Sequence, residues 1–217
     1  MSEHAHHSHG HDHGQPHRHP ARPDIDDTLG YYQVLEIAVR ELLIEKGIIT
    51  ADDVRHAIEK MDANTPAQGA RIVARAWVDP AFRARLLADA DSAIGEVGVA
   101  RGAYKLIVVE NTPKLHNLIV CTLCSCYPRF VLGLPPDWYK SRAYRSRVVR
   151  EPRAVLREFG TEIPEQVEVR VHDSTADMRY LVLPERPRGT EGMSEPQLAE
   201  LVTRDSMIGV ARALSPG

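Results

Sequence analysis

Val120-Cys121-Thr122-Leu123-Cys124-Ser125-Cys126-Tyr127-Pro128 gathers all three cysteines of this 217-residue chain into six positions. Three soft sulfur ligands on one short loop form a metal claw. A closed zinc site needs a fourth Cys or His at a suitable spacing, which makes zinc the poorer fit. A single residue separates Cys124 from Cys126, so the peptide nitrogens of Ser125 and Cys126 fall within the same ring of donors as the sulfurs. Deprotonated, they complete a shell of three thiolates and two amidates. That electron-rich set suits a trivalent, low-spin ion such as cobalt or iron and leaves one position open for water or substrate. The plainer alternatives are a redox pair with a spare thiol, or three small buried residues. Leu118, Ile119 and Val120 have the character of a short buried strand, and Tyr127-Pro128 interrupts regular structure. The claw therefore lies where a strand runs out into a loop, a common place for a site.

Beyond about Gly102 the sequence alternates strands with helices. Leu106 to Val109, Leu118 to Val120, Val167 to Val171 and Tyr180 to Leu183 are aliphatic or β-branched runs bounded by turn residues. Asp137 is placed to cap a helix entering Trp138 and Tyr139, Pro152 to start another, and Ser194 with Gln197 to form a capping box for a last one. Before Gly98 the pattern is helical. Leu35, Ala38, Val39, Leu42 and Leu43 follow the 3.6-residue period, and Gly47 is placed to end that helix. Thr50 with Asp53 opens a second helix carrying Val54, Ala57, Ile58 and Met61, and a third presents Ile72, Val73, Ala76 and Trp77. Asp79-Pro80 is an N-cap followed by proline at the first helical position, starting a fourth helix with Phe82, Leu86, Leu87 and Ile94. These elements define an α+β chain. The short amphipathic N-terminal helices are expected either to bury their apolar faces on a partner or to pack onto the C-terminal half.

Residues 1–28 form a low-complexity tail holding eight of the eleven histidines: His4, His6, His7, His9, His11, His13, His17 and His19. It is either a metal-scavenging arm or simply a solvated tail. With 43% hydrophobic residues the rest of the chain can bury one good core, or a core plus a helical extension. A formal charge of −3 with dispersed Lys and Arg argues against a nucleic-acid footprint. No apolar run is long enough for a spanning helix. The polar N-terminus is not a secretory signal, and three thiols kept for metal fit a reducing cytoplasm.

The claw motif V-C-T-L-C-S-C-Y-P resembles that of the nitrile hydratase alpha chain, as do L-G-L-P-P-D-W-Y-K (Leu132 to Lys140), Y-R-S-R-V-V-R-E-P-R (Tyr144 to Arg153) and V-T-R-D-S-M-I-G-V (Val202 to Val210). The likeness runs from about Tyr31 to Ala211. It implies a layered α-β-β-α domain over residues 101–217 behind a helical arm at 29–100. It also implies Cys121, Cys124, Ser125 and Cys126 as metal ligands, Cys124 oxidised to sulfinate and Cys126 to sulfenate, and Cys121 left a thiolate. Thr122 marks the cobalt form, where the iron form has Ser, so Co(3+), one per chain, is expected and Fe(3+) is the alternative. The family assembles with a beta subunit as a heterodimer or heterotetramer, served by an activator or metallochaperone, and hydrates small nitriles to amides in the cytoplasm. Cys124 and Cys126 are then catalytic, with the Cys126 oxygen as base or nucleophile.

One position departs from that family. Nitrile hydratases commonly read Y-P-W-P after the claw, whereas this chain has Tyr127-Pro128-Arg129-Phe130, a cation where a pocket-wall tryptophan is expected. The related thiocyanate hydrolase gamma subunit carries Y-P-R, has an N-terminus rich in His and Asp, and has a first helix similar to Glu36 to Gly47, so it is the alternative function. A metal store or chaperone resting on the His tail is a third. His116 and His172 each stand alone at a strand edge and are expected to be structural. Arg142, Arg145, Arg147, Arg150, Arg153 and Arg157 suggest a solvated basic face or a surface for an anion or acidic partner. Trp138 and Tyr144 are expected in the core or an interface.

Overall fold

A computed structural model describes residues 30–216, and the histidine-rich tail lies outside that range. The first helix, α1 (Tyr31–Glu45), ends at Gly47, whose φ of 65° is the left-handed conformation that closes a helix. In α2 (Ala51–Asp62) the expected capping box is present. Asp53 N–H donates to Thr50 Oγ1 at 3.0 Å, and Thr50 N–H donates to Asp53 Oδ2 at 2.8 Å. Pro66 opens α3 (Pro66–Val78), and Asp79 ends it while capping α4 (Pro80–Ala88) through Phe82 N–H at 2.9 Å. After α5 (Ala90–Ala93) and a 3-10 turn at Ile94–Val97 come two strands, β1 (Lys105–Glu110) and β2 (Leu115–Val120), joined by a tight turn that Thr112 and Leu115 close.

Past the claw follow four short helices: α6 (Arg129–Leu132), α7 (Asp137–Lys140), α8 (Arg142–Arg147) and α9 (Pro152–Glu158). Then come β3 (Glu168–Asp173), β4 (Met178–Leu183), α10 (Glu195–Glu200) and α11 (Arg204–Ile208). Two parallel ladders result, β1 with β4 and β2 with β3. The tight turn between β1 and β2 makes one ladder run back across the other. Leu118, Ile119, Val120, Leu181 and Val182 are fully buried where the ladders meet, each contributing about 1.5–3 kcal/mol. Helices α4, α5 and α11 contact the first ladder and α9 contacts the second, which gives the expected α-β-β-α layering.

Of the segment expected to be a helical arm, α3 to α5 send Ile72, Val73, Ala76, Phe82, Leu86 and Ala93 into this core, while α1 and α2 bury no residue at all. Three local expectations need correction. Asp137 does not cap α7: Pro136 is the cap, and the Asp137 carboxylate instead pairs with Lys140 at 2.8 Å. β2 begins earlier than its aliphatic run, at Leu115, because pairing with β3 carries the polar His116 and Asn117 into the ladder. Val167 drops out of β3, its N–H turning to Pro164 O, and β3 extends instead to His172 and Asp173. No helix among the described residues is long and apolar enough to cross a membrane.

Candidate metal centre

The claw begins one residue past the end of β2, where the buried Cys121 continues the strand. Its first turn is fastened from the neighbouring strand. Asp173, paired in register with Val120, accepts from Thr122 N–H at 2.9 Å and from Thr122 Oγ1 at 2.5 Å. Ser174 N–H donates to Val120 O at 2.7 Å, tying the two strand ends together. From the helical layer Tyr139 Oη donates to Cys126 O at 2.9 Å, Tyr144 Oη to Ile119 O at 2.7 Å and Arg145 Nη1 to Thr122 O at 3.4 Å. The loop is thus held by its backbone carbonyls and by Thr122, while among the described residues its sulfurs hydrogen-bond only within the claw.

Those sulfurs converge. Cys121 Sγ lies 3.4 Å from Cys124 Sγ, Cys124 Sγ lies 3.1 Å from Cys126 Sγ, and all three fall within 4.8 Å of one another. Metal–sulfur bonds of about 2.3 Å set at right angles put neighbouring sulfurs about 3.3 Å apart, whereas tetrahedral angles put them about 3.8 Å apart. The two adjacent spacings, 3.4 and 3.1 Å, lie nearer the right-angled value than the tetrahedral one. Cys124 N–H donates to Cys121 Sγ at 3.3 Å, which draws the loop backbone in around the sulfurs. Burial grades from the buried Cys121 through the half-buried Cys126 to the exposed Cys124, so the claw opens outward.

Cys124 and Cys126 do not ionise alike. Hydrogen bonding from Cys126, then from Cys121 and the Ser125 and Cys126 peptide N–H groups, lowers Cys124 to about 7. Cys126 is pushed up to about 12, first by burial and then by the hydrogen bonds it gives to its neighbours. One proton leaves this cluster easily and the next is held, as coupled sites require. Arg179, buried on β4 with its guanidinium 4.0 Å from the centre of the Tyr104 ring, supplies positive charge that favours the Cys126 thiolate. Burial raises the Tyr127 and Tyr139 hydroxyls, which stay neutral under the claw.

Arg129 is the first residue of α6 and is exposed, and its guanidinium has no partner among the described residues. His116 and His172 are not ligands, nor are they isolated. His116 Nε2 donates to Gly209 O at 2.7 Å while its Nδ1 faces Asn111, and His172 Nε2 donates to Asn117 Oδ1 at 2.8 Å, so one network links both rings. The arginine series is largely internal. Arg147 pairs with Glu151 and Glu158, and Arg153 holds the loop carbonyls of Ile163 and Pro164. Trp138 and Tyr144 pack edge to face at 5.0 Å as core aromatics. Asp173, Tyr139, Arg145 and Arg179 were invisible to spacing arguments because their partners lie far away in sequence.

Residues 30–211 match the family model described as nitrile hydratase, alpha chain. The low-molecular-weight cobalt-containing nitrile hydratase subunit alpha of Rhodococcus rhodochrous is 54% identical over 181 residues, 82% of this chain and 87% of that one. Thiocyanate hydrolase subunit gamma of Thiobacillus thioparus is 46% identical over 192 residues, covering 83% of this chain and 79% of that one. Among solved structures, a doubly substituted iron-type nitrile hydratase of Comamonas testosteroni superposes with a TM-score of 0.79 at 45% identity, covering 85% of this chain and 91% of that one. Extensive sequence identity, the layered sandwich and a three-sulfur loop at the end of its second strand lead to one assignment: the chain belongs to the nitrile hydratase alpha-chain family.

Proposed function

We propose that this chain is the alpha subunit of a cobalt nitrile hydratase, converting nitriles to primary amides. The observation that carries this reading is the convergence of three sulfurs within 4.8 Å of one another, adjacent pairs 3.4 and 3.1 Å apart, in a chain of this family. Cys121, Cys124 and Cys126, with the Ser125 and Cys126 nitrogens, would hold one Co(3+) per chain. When bound there, the ion supplies Lewis acidity toward a nitrile nitrogen or a water. The chain's own residues do the rest. Cys121 anchors the loop in the core, Asp173 and Tyr139 fix its two ends, and the exposed Cys124 and half-buried Cys126 face the substrate side. Oxidised to sulfinate and sulfenate, these two present acceptor oxygens there, and the Cys126 oxygen is placed to take a proton or attack. A cytoplasmic beta subunit completes the site in a heterodimer or heterotetramer, and an activator loads the metal.

The test is one sample read three ways: the purified native complex assayed for cobalt, for the mass of the claw peptide and for nitrile hydration. One cobalt per chain, a gain of about 48 Da from three oxygens, and amide production are expected. Active complex with unmodified cysteines would sink the oxidised-claw mechanism.

Arg129 favours a second reading, a thiocyanate hydrolase gamma subunit. An exposed, unpaired guanidinium three residues past Cys126 is suited to drawing in an anion. Comparing kcat/KM for an aliphatic nitrile and for thiocyanate, in wild type and Arg129→Trp, separates the two. The nitrile hydratase reading expects nitrile turnover held or improved by the substitution. Wild-type preference for thiocyanate, lost in the variant, would install the second reading.

A further inference from the structure

A cavity of about 530 Å³ opens at the end of the sandwich opposite the metal centre. Its walls come from the β1–β2 turn, the loop before β3, the run just after β4 and the stretch 212–215. The claw follows the other end of β2, about 20 Å away along a six-residue strand, and shares no residue with this cavity. The volume is that of an ordinary small-molecule site.

The charge of its lining is one-sided. Arg186, Arg188 and Arg212 face a single carboxylate, Glu185, among the described lining residues. Arg186 is committed to structure, its guanidinium donating to Thr190 Oγ1, Thr190 O and Trp77 O. Arg188 has no partner among the described residues, and Arg212 makes only one long contact, Nη2 to Glu162 O at 3.4 Å. Two exposed guanidiniums with no carboxylate partner among the described residues thus border one cavity. The charge of Arg212 reaches the cavity floor, where it adds to the burial that lowers the pKa of His116. His116 itself offers the cavity little, since Nε2 donates to Gly209 O and Nδ1 faces Asn111. Leu115, Ile163 and Val167 give the cavity an apolar side.

We propose that this cavity binds a small organic anion, a carboxylate carried on an apolar body, clamped by Arg188 and Arg212. Planar guanidiniums match a carboxylate's two oxygens, and the aliphatic wall accepts the body of the ligand. The inference stands on the cavity's geometry and charge and does not depend on the chemistry at the claw.

Calorimetric titration of the assembled, metal-loaded complex tests it, with 3-phenylpropionate as the probe and 3-phenylpropanol and inorganic phosphate as controls. Saturable binding of 3-phenylpropionate is expected, with the neutral alcohol and phosphate each weaker by at least about ten-fold. The double variant Arg188→Gln, Arg212→Gln should weaken the carboxylate by about ten-fold or more while leaving kcat/KM for a nitrile within about two-fold. Melting temperature without ligand checks that the variant is folded, and the single variants serve as the fallback where it is not. Unchanged affinity in the folded variants would place the ligand elsewhere and overturn the site. Equal binding of alcohol or phosphate, or no binding of 3-phenylpropionate, would overturn the ligand class.

Discussion

Asp173 shows how much of the metal centre depends on a residue outside the claw. Its carboxylate accepts two hydrogen bonds from Thr122, one from the peptide and one from the side chain, and so fixes where the loop leaves β2. Groups that orient metal ligands typically change metal affinity by 10–100-fold when removed. Asp173→Ala should therefore speed cobalt loss to a chelator by at least about ten-fold, while Thr122→Ser, which keeps the hydroxyl, should lose metal at the wild-type rate. Timed chelation of the loaded complex, followed by metal analysis, reads both. Wild-type retention in Asp173→Ala would mean that the strand end holds the loop without help. The pattern C-x-x-C-x-C pointed to the sulfurs and the two peptide nitrogens between them, and to none of the side chains that hold the loop. Thr122 and Asp173 lie 51 positions apart, and no local signal joins a threonine to an aspartate on another strand.

At the scale of elements, most of the layered sandwich was legible. Helix starts followed from Thr50 with Asp53 and from Ser194 with Gln197, because capping is local chemistry. The strand ends were read less well. Hydrophobic runs mark where a strand is buried, whereas pairing decides where it stops, and β2 takes in His116 and Asn117 because β3 lies alongside. Those polar residues form a chain across the strands: His116 to Asn111, Asn111 to Asn117, Asn117 to His172. Burial first, and nearby arginines second, lower the folded-state pKa of both histidines below the ordinary 6.5. A histidine with a lowered folded pKa is neutral in the fold and takes up protons more readily when unfolded. Its stabilisation is complete above pH 6.5 and is lost as pH falls below that value toward the folded pKa. Melting temperature should therefore fall as the pH drops below 6.5, and His116→Gln with His172→Gln should flatten that part of the profile. A double variant with the wild-type slope would assign the acid sensitivity to other groups.

The whole molecule is divided between a core that closes on itself and a helical pair that does not. The buried residues among those described all lie beyond α2, in α3 to α11, the two ladders and the segments that join them, whereas α1 and α2 leave Tyr32, Leu35, Val39, Leu42 and Ile58 exposed. Tyr32, Leu35, Val39 and Leu42 follow spacings of three and four and so form one stripe along α1. Isolated helices of this length are marginal in water, and a stripe of this kind gains stability only against another surface. Membership in an alpha-chain family implies a beta partner, and burial of this stripe by that partner is a prediction open to direct test. Burial of three such side chains is worth about 5–9 kcal/mol in total before the ordering cost of association. Leu35→Glu, Val39→Glu and Leu42→Glu together should therefore weaken assembly by at least about a hundred-fold. The melting of the remaining core should change little, because none of the three is buried there. Co-expression followed by size-exclusion chromatography and dilution of the complex reads the assembly, and circular dichroism of the variant reads the core. Intact assembly in the triple variant would move the partner contact off α1. Collapse of the core melt would show instead that this helix belongs to the self-contained part of the fold.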